Sequence, residues 1–105
     1  MRNDVPVSEQ YRLAAQEWVT IDGAARLLEE GKSAYVAQQI GKLGDMPHAK
    51  AERIVKSSTE YSDYIKKMVH AKTAANGMRE ELAWLKMRSM ERTSEEANAR
   101  SERKL

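Results

Sequence analysis

The stretch that decides the fold is residues 61–85, YSDYIKKMVHAKTAANGMREELAWL. Its apolar residues recur at alternating spacings of three and four residues, which is the period of one face of an α-helix. We call these positions the heptad seam: Tyr61, Tyr64, Met68, Ala71, Ala75, Met78, Leu82 and Leu85. Because such a seam is covered only when a second helix packs along it, the stretch predicts a long helix that has a helical partner.

A second series with the same spacing lies in the first half of the chain and predicts the partner helix. Its members are Tyr11, Ala14, Trp18, Ile21, Ala25, Leu28, Lys32 and Tyr35. We expect this helix to begin at Ser8, a residue type that caps helix N-termini, and to run to about Ile40. Gly41 is the predicted left-handed C-cap, and Pro47 cannot lie inside a continuing helix.

The segment between the two long helices predicts a short connecting helix over residues 49–55, with Ile54 and Val55 pointing inward. Residues 57–60 form a cap cluster, after which the third helix should run from about Thr59 into the nineties. A straight helix drifts by about 20° per heptad from a 3.5-residue repeat. We therefore interpret a one-position shift of the apolar stripe near Leu85 as a continuation of the seam on a straight helix, at Ala83, Met87, Met90, Ser94 and Ala97.

These elements predict an all-α fold, a long antiparallel helical hairpin with a short connecting helix. We expect one helical domain over residues 1–105, with residues 1–7 and about 98–105 flexible. A lone hairpin leaves the flanks of each seam uncovered, so two hairpins should pair into a four-helix bundle. We expect a homodimer, or a higher even oligomer, that forms through the third helix. The predicted self-association or partner interface comprises Tyr61, Ile65, Met68, Met78, Leu82, Trp84, Leu85 and Met87.

Composition excludes several classes of protein. The chain has 18 basic and 16 acidic residues, a net charge of +2, which lacks the strong basic excess of a typical nucleic-acid domain. Cysteine is absent, which excludes disulfides and thiolate metal sites and fits a cytoplasmic protein. No apolar run approaches the roughly 18 residues of a membrane span, so no membrane partner is expected.

No residue pattern predicts catalysis. His48 and Glu52 share one helical face, but a metal site needs at least three ligands. His70 lies beside the heptad seam, where a flanking histidine is expected. Residues 41–44 lack the Lys-Ser/Thr ending of a phosphate-binding loop. We therefore predict a protein that is not an enzyme and holds no metal or cofactor.

Nucleic-acid binding is the alternative function, and the sequence offers two routes to it. The first is a helix-turn-helix over residues 18–40, with its turn at Gly31 and with Gln38 and Gln39 as base readers. That recognition helix would carry no Arg or Lys over residues 34–40 and would bind weakly. The second is direct contact through basic positions of the third helix, at Lys66, Lys72, Arg79, Lys86 and Arg88.

The whole chain resembles small helical proteins encoded by tailed bacteriophages and prophages, mostly of unassigned function. The likeness rests on three stretches: Gly44-Asp45-Met46-Pro47 with Ala51-Glu52 and Val55-Lys56 after it, Ala71 to Asn76, and Glu95 to Arg100. The resemblance implies the cytoplasm of an infected bacterium and an accessory role beside phage DNA replication or recombination. It brings no functional residues with it. We predict a non-enzymatic, self-associating helical protein that binds another phage or host protein.

Overall fold

The computed structural model describes residues 5–103, which form three α-helices and no strand: α1 (Val7–Lys42), α2 (His48–Lys56) and α3 (Thr59–Arg103). The predicted all-α class is confirmed. α3 starts at the predicted residue and extends past the nineties, where we expected it to end. Residues 1–4 and 104–105, which belong to the segments predicted to be flexible, lie outside the described residues.

Contacts divide the chain into two compact units, which we call the first unit (Met1–Thr20 with Asn76–Leu105) and the second unit (Ile21–Ala75). In the second unit, Tyr35 of α1 contacts Tyr64 of α3, and the earlier Glu29 pairs with the later Lys72. The two helices therefore run antiparallel there, with α2 between them in the chain, which confirms the predicted helical hairpin. The pairing of hairpins into a four-helix bundle remains a prediction.

In the first unit, the start of α1 lies beside the later part of α3. Ser8 and Tyr11 line one cavity together with Lys86, Ser89 and Met90. α1 begins at Val7, because the carbonyl of Pro6 accepts hydrogen bonds from the backbone N–H groups of Glu9 and Gln10, each at 3.0 Å. The predicted Ser8 cap is therefore wrong, since Ser8 lies inside the first turn.

α1 passes through Gly23 and Gly31 as one continuous helix. The helix-turn-helix hypothesis is therefore wrong, because it requires a turn at Gly31. Glycine inside a helix costs about 1 kcal/mol relative to alanine, so packing must compensate here. The apolar series of α1 provides this packing before and after the two glycines. Every member of the series except the 37% exposed Tyr11 is buried or half-buried.

Gly31 is instead a point of close approach within the second unit. The rings of Tyr35 and Tyr64 stack with centroids 4.4 Å apart and planes 16° apart. The Tyr64 hydroxyl donates a hydrogen bond of 2.6 Å to the carbonyl of Leu28. A Cβ placed on Gly31 would lie 3.3 Å from that hydroxyl oxygen. The missing side chain thus gives Tyr64 room to reach the backbone of α1.

The connection between α1 and α2 differs from prediction at its glycines. α1 continues through Gly41 to Lys42, where the N–H of Leu43 still bonds to the carbonyl of Ile40 at 3.1 Å. Gly44 takes the left-handed conformation, with φ of 78°, so the predicted C-cap at Gly41 is wrong. That conformation suits glycine because it lacks the Cβ that would clash.

α2 buries one narrow face, made by Ala51 and Val55. Ile54 points about 100° away from Val55 around the helix and is 40% exposed, so its predicted inward orientation is wrong. The predicted cap cluster before α3 is confirmed at Ser58, whose hydroxyl oxygen accepts the N–H of Tyr61 at 3.2 Å. The same hydroxyl donates to the carbonyl of Val55, which links the end of α2 to the start of α3.

All eight positions of the heptad seam are buried or half-buried, and the pattern continues in the same phase to the half-buried Ser89. The predicted phase shift is therefore wrong, because burial keeps the 3.5-residue repeat of a coiled coil. The residues assigned to that shift are all exposed and form a separate row on α3, which we call the outer stripe: Ala83, Met87, Met90, Ser94 and Ala97.

Candidate interaction surface

The outer stripe and its neighbour Trp84 expose three large apolar side chains in the first unit. Trp84, Met87 and Met90 are 51%, 56% and 63% exposed, respectively. They are spaced three residues apart, which places them along one side of α3. Single exposed apolar residues are normal on a protein surface, whereas a contiguous apolar patch commonly marks a binding site.

The apolar surface extends from α3 to the start of α1. Beside Met90 lies a shallow cavity of about 210 Å³, lined also by Ser8, Tyr11, Lys86 and Ser89. Tyr11 is the one member of the α1 series that is exposed, at 37%, and it lies at this cavity. The cavity therefore adds an aromatic side chain to the edge of the surface formed by the methionines.

One charged group lies against the Trp84 ring. The guanidinium of Arg88 lies 5.2 Å from the centre of the Trp84 ring, within the range of a cation–π contact. Arg88 is four residues further along, so both side chains lie on the same side of α3. Half of the Trp84 side chain remains exposed beside this contact.

The predicted interface residues fall into two groups. Trp84 and Met87 are exposed, whereas Leu85 is buried within the chain. The other five predicted residues are half-buried: Tyr61, Ile65, Met68, Met78 and Leu82. Met90, the most exposed of the three large apolar side chains on this side of α3, was not among the predicted interface residues. The sequence does contain a signal for this surface, because α3 has two separate series. One runs through Leu82, Leu85 and Ser89, and the other is the outer stripe.

The basic positions named for nucleic-acid contact differ in their surroundings. Lys72 forms an ion pair with Glu29, Nζ to Oε1 at 3.3 Å, and Arg88 lies over Trp84. Lys66, Arg79 and Lys86 are exposed, and none of them forms an ion pair among the described residues. Of the five predicted positions, these three therefore have a positive charge that takes part in no ion pair or cation–π contact among residues 5–103.

Two basic side chains of α2, His48 and Lys56, lie close to the carboxylate of Glu52. His48 Nε2 lies 3.6 Å from Glu52 Oε2, and Lys56 Nζ lies 2.7 Å from Glu52 Oε1. The hydrogen bond and positive charge of Lys56 lower the pKa of the Glu52 carboxyl. Around them lies an open cavity of about 440 Å³, lined by Ala49, Glu52, Arg53, Lys56 and Ser57. Across residues 5–103, no three metal-ligating side chains come together.

Within the described residues, no helix combines the length and the apolar character needed to cross a lipid bilayer. Comparison of the chain with protein-family models, curated proteins and solved structures finds no match. The resemblance to bacteriophage proteins therefore stays a prediction from the sequence.

Proposed function

We propose that this chain is a non-enzymatic, self-associating helical protein whose outer stripe, with Trp84, is a protein-binding surface. One observation carries the proposal: Trp84, Met87 and Met90 are each more than half exposed along one side of α3. Complete burial of a large apolar side chain contributes about 1.5–3 kcal/mol. Because these three residues are already about half buried, six such side chains across a two-fold interface contribute roughly 4–9 kcal/mol. That range overlaps the cost of association, about 4–15 kcal/mol.

In this proposal the heptad seam and the outer stripe have different tasks. The seam residues pack inside the chain, and the outer stripe binds a second copy, which brings two hairpins together as a four-helix assembly. Once assembled, the remaining outer faces would bind another protein. The setting implied by the sequence resemblance, the cytoplasm of a phage-infected bacterium, belongs to the proposal.

Sedimentation equilibrium with a charged variant tests the proposal. Met87→Glu places a carboxylate at the centre of the stripe, where burial without a partner is costly. Over about 10–500 µM protein, the wild type should self-associate reversibly and Met87→Glu should remain monomeric. Leu27→Glu is the matched control, because Leu27 is 74% exposed and lies on α1, outside the stripe. A wild type that stays monomeric over the whole range would refute self-association.

Nucleic-acid binding is the second candidate function, supported by the exposed and unpaired Lys66, Arg79 and Lys86. Phosphate contacts make affinity fall steeply with salt, because bound protein releases counterions. Binding of a duplex and of a single strand at about 50 and about 200 mM salt would distinguish the two candidates. Salt-sensitive binding that Lys86→Gln and Arg79→Gln weaken would favour this second candidate, and no binding at the lower salt concentration would remove it.

A further inference from the structure

The outer stripe is itself a heptad series. From Ala83 to Ala97 its members are separated by four, three, four and three residues, and all of them are exposed. In a series of this kind, Met87 and Ser94 occupy one core position and Met90 and Ala97 the other. α3 thus carries two such series on different faces, and among residues 5–103 only the heptad seam is covered. The spacing of the uncovered series fits a partner that is also a helix.

The charges beside the outer stripe identify which helix fits. Lys86 immediately precedes Met87, and Glu91 immediately follows Met90. When two such helices pair in parallel, the residue before the first core position faces the residue five places further along in the partner. Lys86 then faces Glu91 of the partner subunit, and the two-fold symmetry makes that pair twice.

An antiparallel arrangement forms no such ion pair. There, residues of one flank face residues of the same flank in the partner. When Ala83 faces Ser94 of the partner subunit, Lys86 faces Thr93 of the partner subunit, which is uncharged. The parallel arrangement gives Lys86 an opposite charge instead, which favours that orientation.

We propose that the outer stripe pairs with the same stripe of a second copy, in parallel and in register, with Lys86 against Glu91 of the partner subunit. This inference rests on the proposed function and deepens it by naming the partner and its orientation. Glu80 lies one heptad before Met87 and would face its own copy, so the pairing begins at Ala83. The contact is short, and interfaces that bury less than about 1,200 Å² are weak and transient, so assembly depends on concentration.

Disulfide trapping tests the orientation, since the chain has no cysteine of its own. In the parallel register, Ser94 faces Ser94 of the partner subunit and Ala83 faces Ala83 of the partner subunit. Ser94→Cys and Ala83→Cys should therefore each form a disulfide-linked dimer on mild oxidation. Ser33→Cys, at an exposed position of α1, is the control and should remain monomeric.

Each other outcome of the trapping experiment overturns the inference in a distinguishable way. An antiparallel pairing places Ser94 against Ala83 of the partner subunit, so only a mixture of the two variants would be cross-linked. Self-association by sedimentation without cross-linking of either variant would place the interface elsewhere, which refutes the inference but not the self-association. A monomeric wild type would refute both.

Charge reversal tests the proposed ion pair independently. Lys86→Glu and Glu91→Lys should each weaken dimerisation by about tenfold, because two attractive pairs become repulsive. A mixture of the two single variants should recover wild-type affinity within about threefold, because a heterodimer restores both pairs. Residues five apart do not face each other on one helix, so a change in helix stability would give no such rescue. A mixture no stronger than its components would overturn the inference.

Discussion

The two units have the same heptad spacing but differ in what joins their helices. In the second unit, contacts with defined geometry connect α1 with α3: Tyr64 donates to the carbonyl of Leu28, and Lys72 pairs with Glu29. In the first unit, the ion pair Glu9–Arg12 lies within α1 and the ion pair Arg92–Glu96 lies within α3, so neither of them joins the two helices. The first unit is also where Trp84, Met87 and Met90 are exposed.

This difference separates two properties that heptad spacing alone does not distinguish. Apolar spacing makes helices pair, but it tolerates sliding by whole heptads. A half-buried hydroxyl that donates to one particular carbonyl favours a single alignment, so we assign the register of the hairpin to the second unit. The first unit contains Trp84, Met87 and Met90, which are exposed next to one another along one side of α3, so the proposed assembly surface lies there.

The largest expected effect distinguishes the two faces of α3 in the first unit. Leu85 is 4% exposed, so Leu85→Ala should lower the free energy of unfolding by about 2–5 kcal/mol through lost burial and a cavity. Met87→Ala, on the exposed face, should change it by less than about 0.5 kcal/mol. Urea denaturation at low protein concentration measures both. Equal losses would show that the outer stripe is part of the core.

The next effect tests the register contact of the second unit. Tyr64→Phe removes the hydrogen bond to Leu28 but keeps the ring stack on Tyr35, and should cost about 1 kcal/mol. Tyr61→Phe is the control, because Tyr61 lies half-buried on the same seam and its hydroxyl makes no hydrogen bond with any residue from 5 to 103. If the two variants unfold at the same urea concentration, the Tyr64 hydroxyl does not hold the register.

A smaller effect comes from the two glycines inside α1. Nothing lies within 4 Å of a Cβ added at Gly23, so Gly23→Ala should stabilise the chain by about 0.5–1 kcal/mol. At Gly31 the same gain is opposed, because the new Cβ would lie 3.3 Å from the Tyr64 hydroxyl. Thermal unfolding should therefore rank Gly23→Ala above Gly31→Ala. Equal stabilisation would mean that the close approach at Gly31 carries no constraint.

The smallest effect is the pH dependence of exposed ion pairs, which should be alike in the two units. Lys56 lowers the pKa of Glu52, and Arg12 lowers the pKa of Glu9, in each case first through a hydrogen bond. A carboxyl whose pKa is lower in the folded state stabilises it above the unfolded pKa, and this contribution is lost as pH falls through the folded pKa. The loss should thus occur below about pH 4.5, the ordinary value. In an NMR titration, Lys56→Gln should raise the pKa of Glu52, and an unchanged pKa would contradict the cause.

The sequence predicts the helices well because a heptad series depends on local spacing. The two long helices, the start of α3 and the cap at Ser58 follow from residues within a few positions of each other. The role of Gly31 could not be predicted, because it depends on Tyr64, a residue 33 positions away that becomes its neighbour only after folding. From the sequence alone, Gly31 fits a turn equally well.

The candidate surface was predicted only in part, for a geometric reason. Ala83 and Met90 each lie one position after a seam-phase residue, Leu82 and Ser89, and Met87 lies two positions after Leu85. An interpretation with a single stripe treats these small offsets as the drift of one face. Burial shows two faces, because Leu85 and Ser89 are covered while Met87 and Met90 are exposed. Periodicity locates apolar residues on a helix, but the number of partners that cover them is a property of the packed structure.

The most direct test of the central claim is the solvent accessibility of the methionine methyl groups as a function of protein concentration. Met68 and Met78 belong to the heptad seam, and Met87 and Met90 to the outer stripe. A soluble paramagnetic agent broadens the NMR signals of accessible methyl groups. Between about 10 and about 500 µM protein, the signals of Met87 and Met90 should become protected while those of Met68 and Met78 stay protected throughout. Equal broadening of Met87 and Met90 at every concentration would contradict the claim that the outer stripe is the assembly surface.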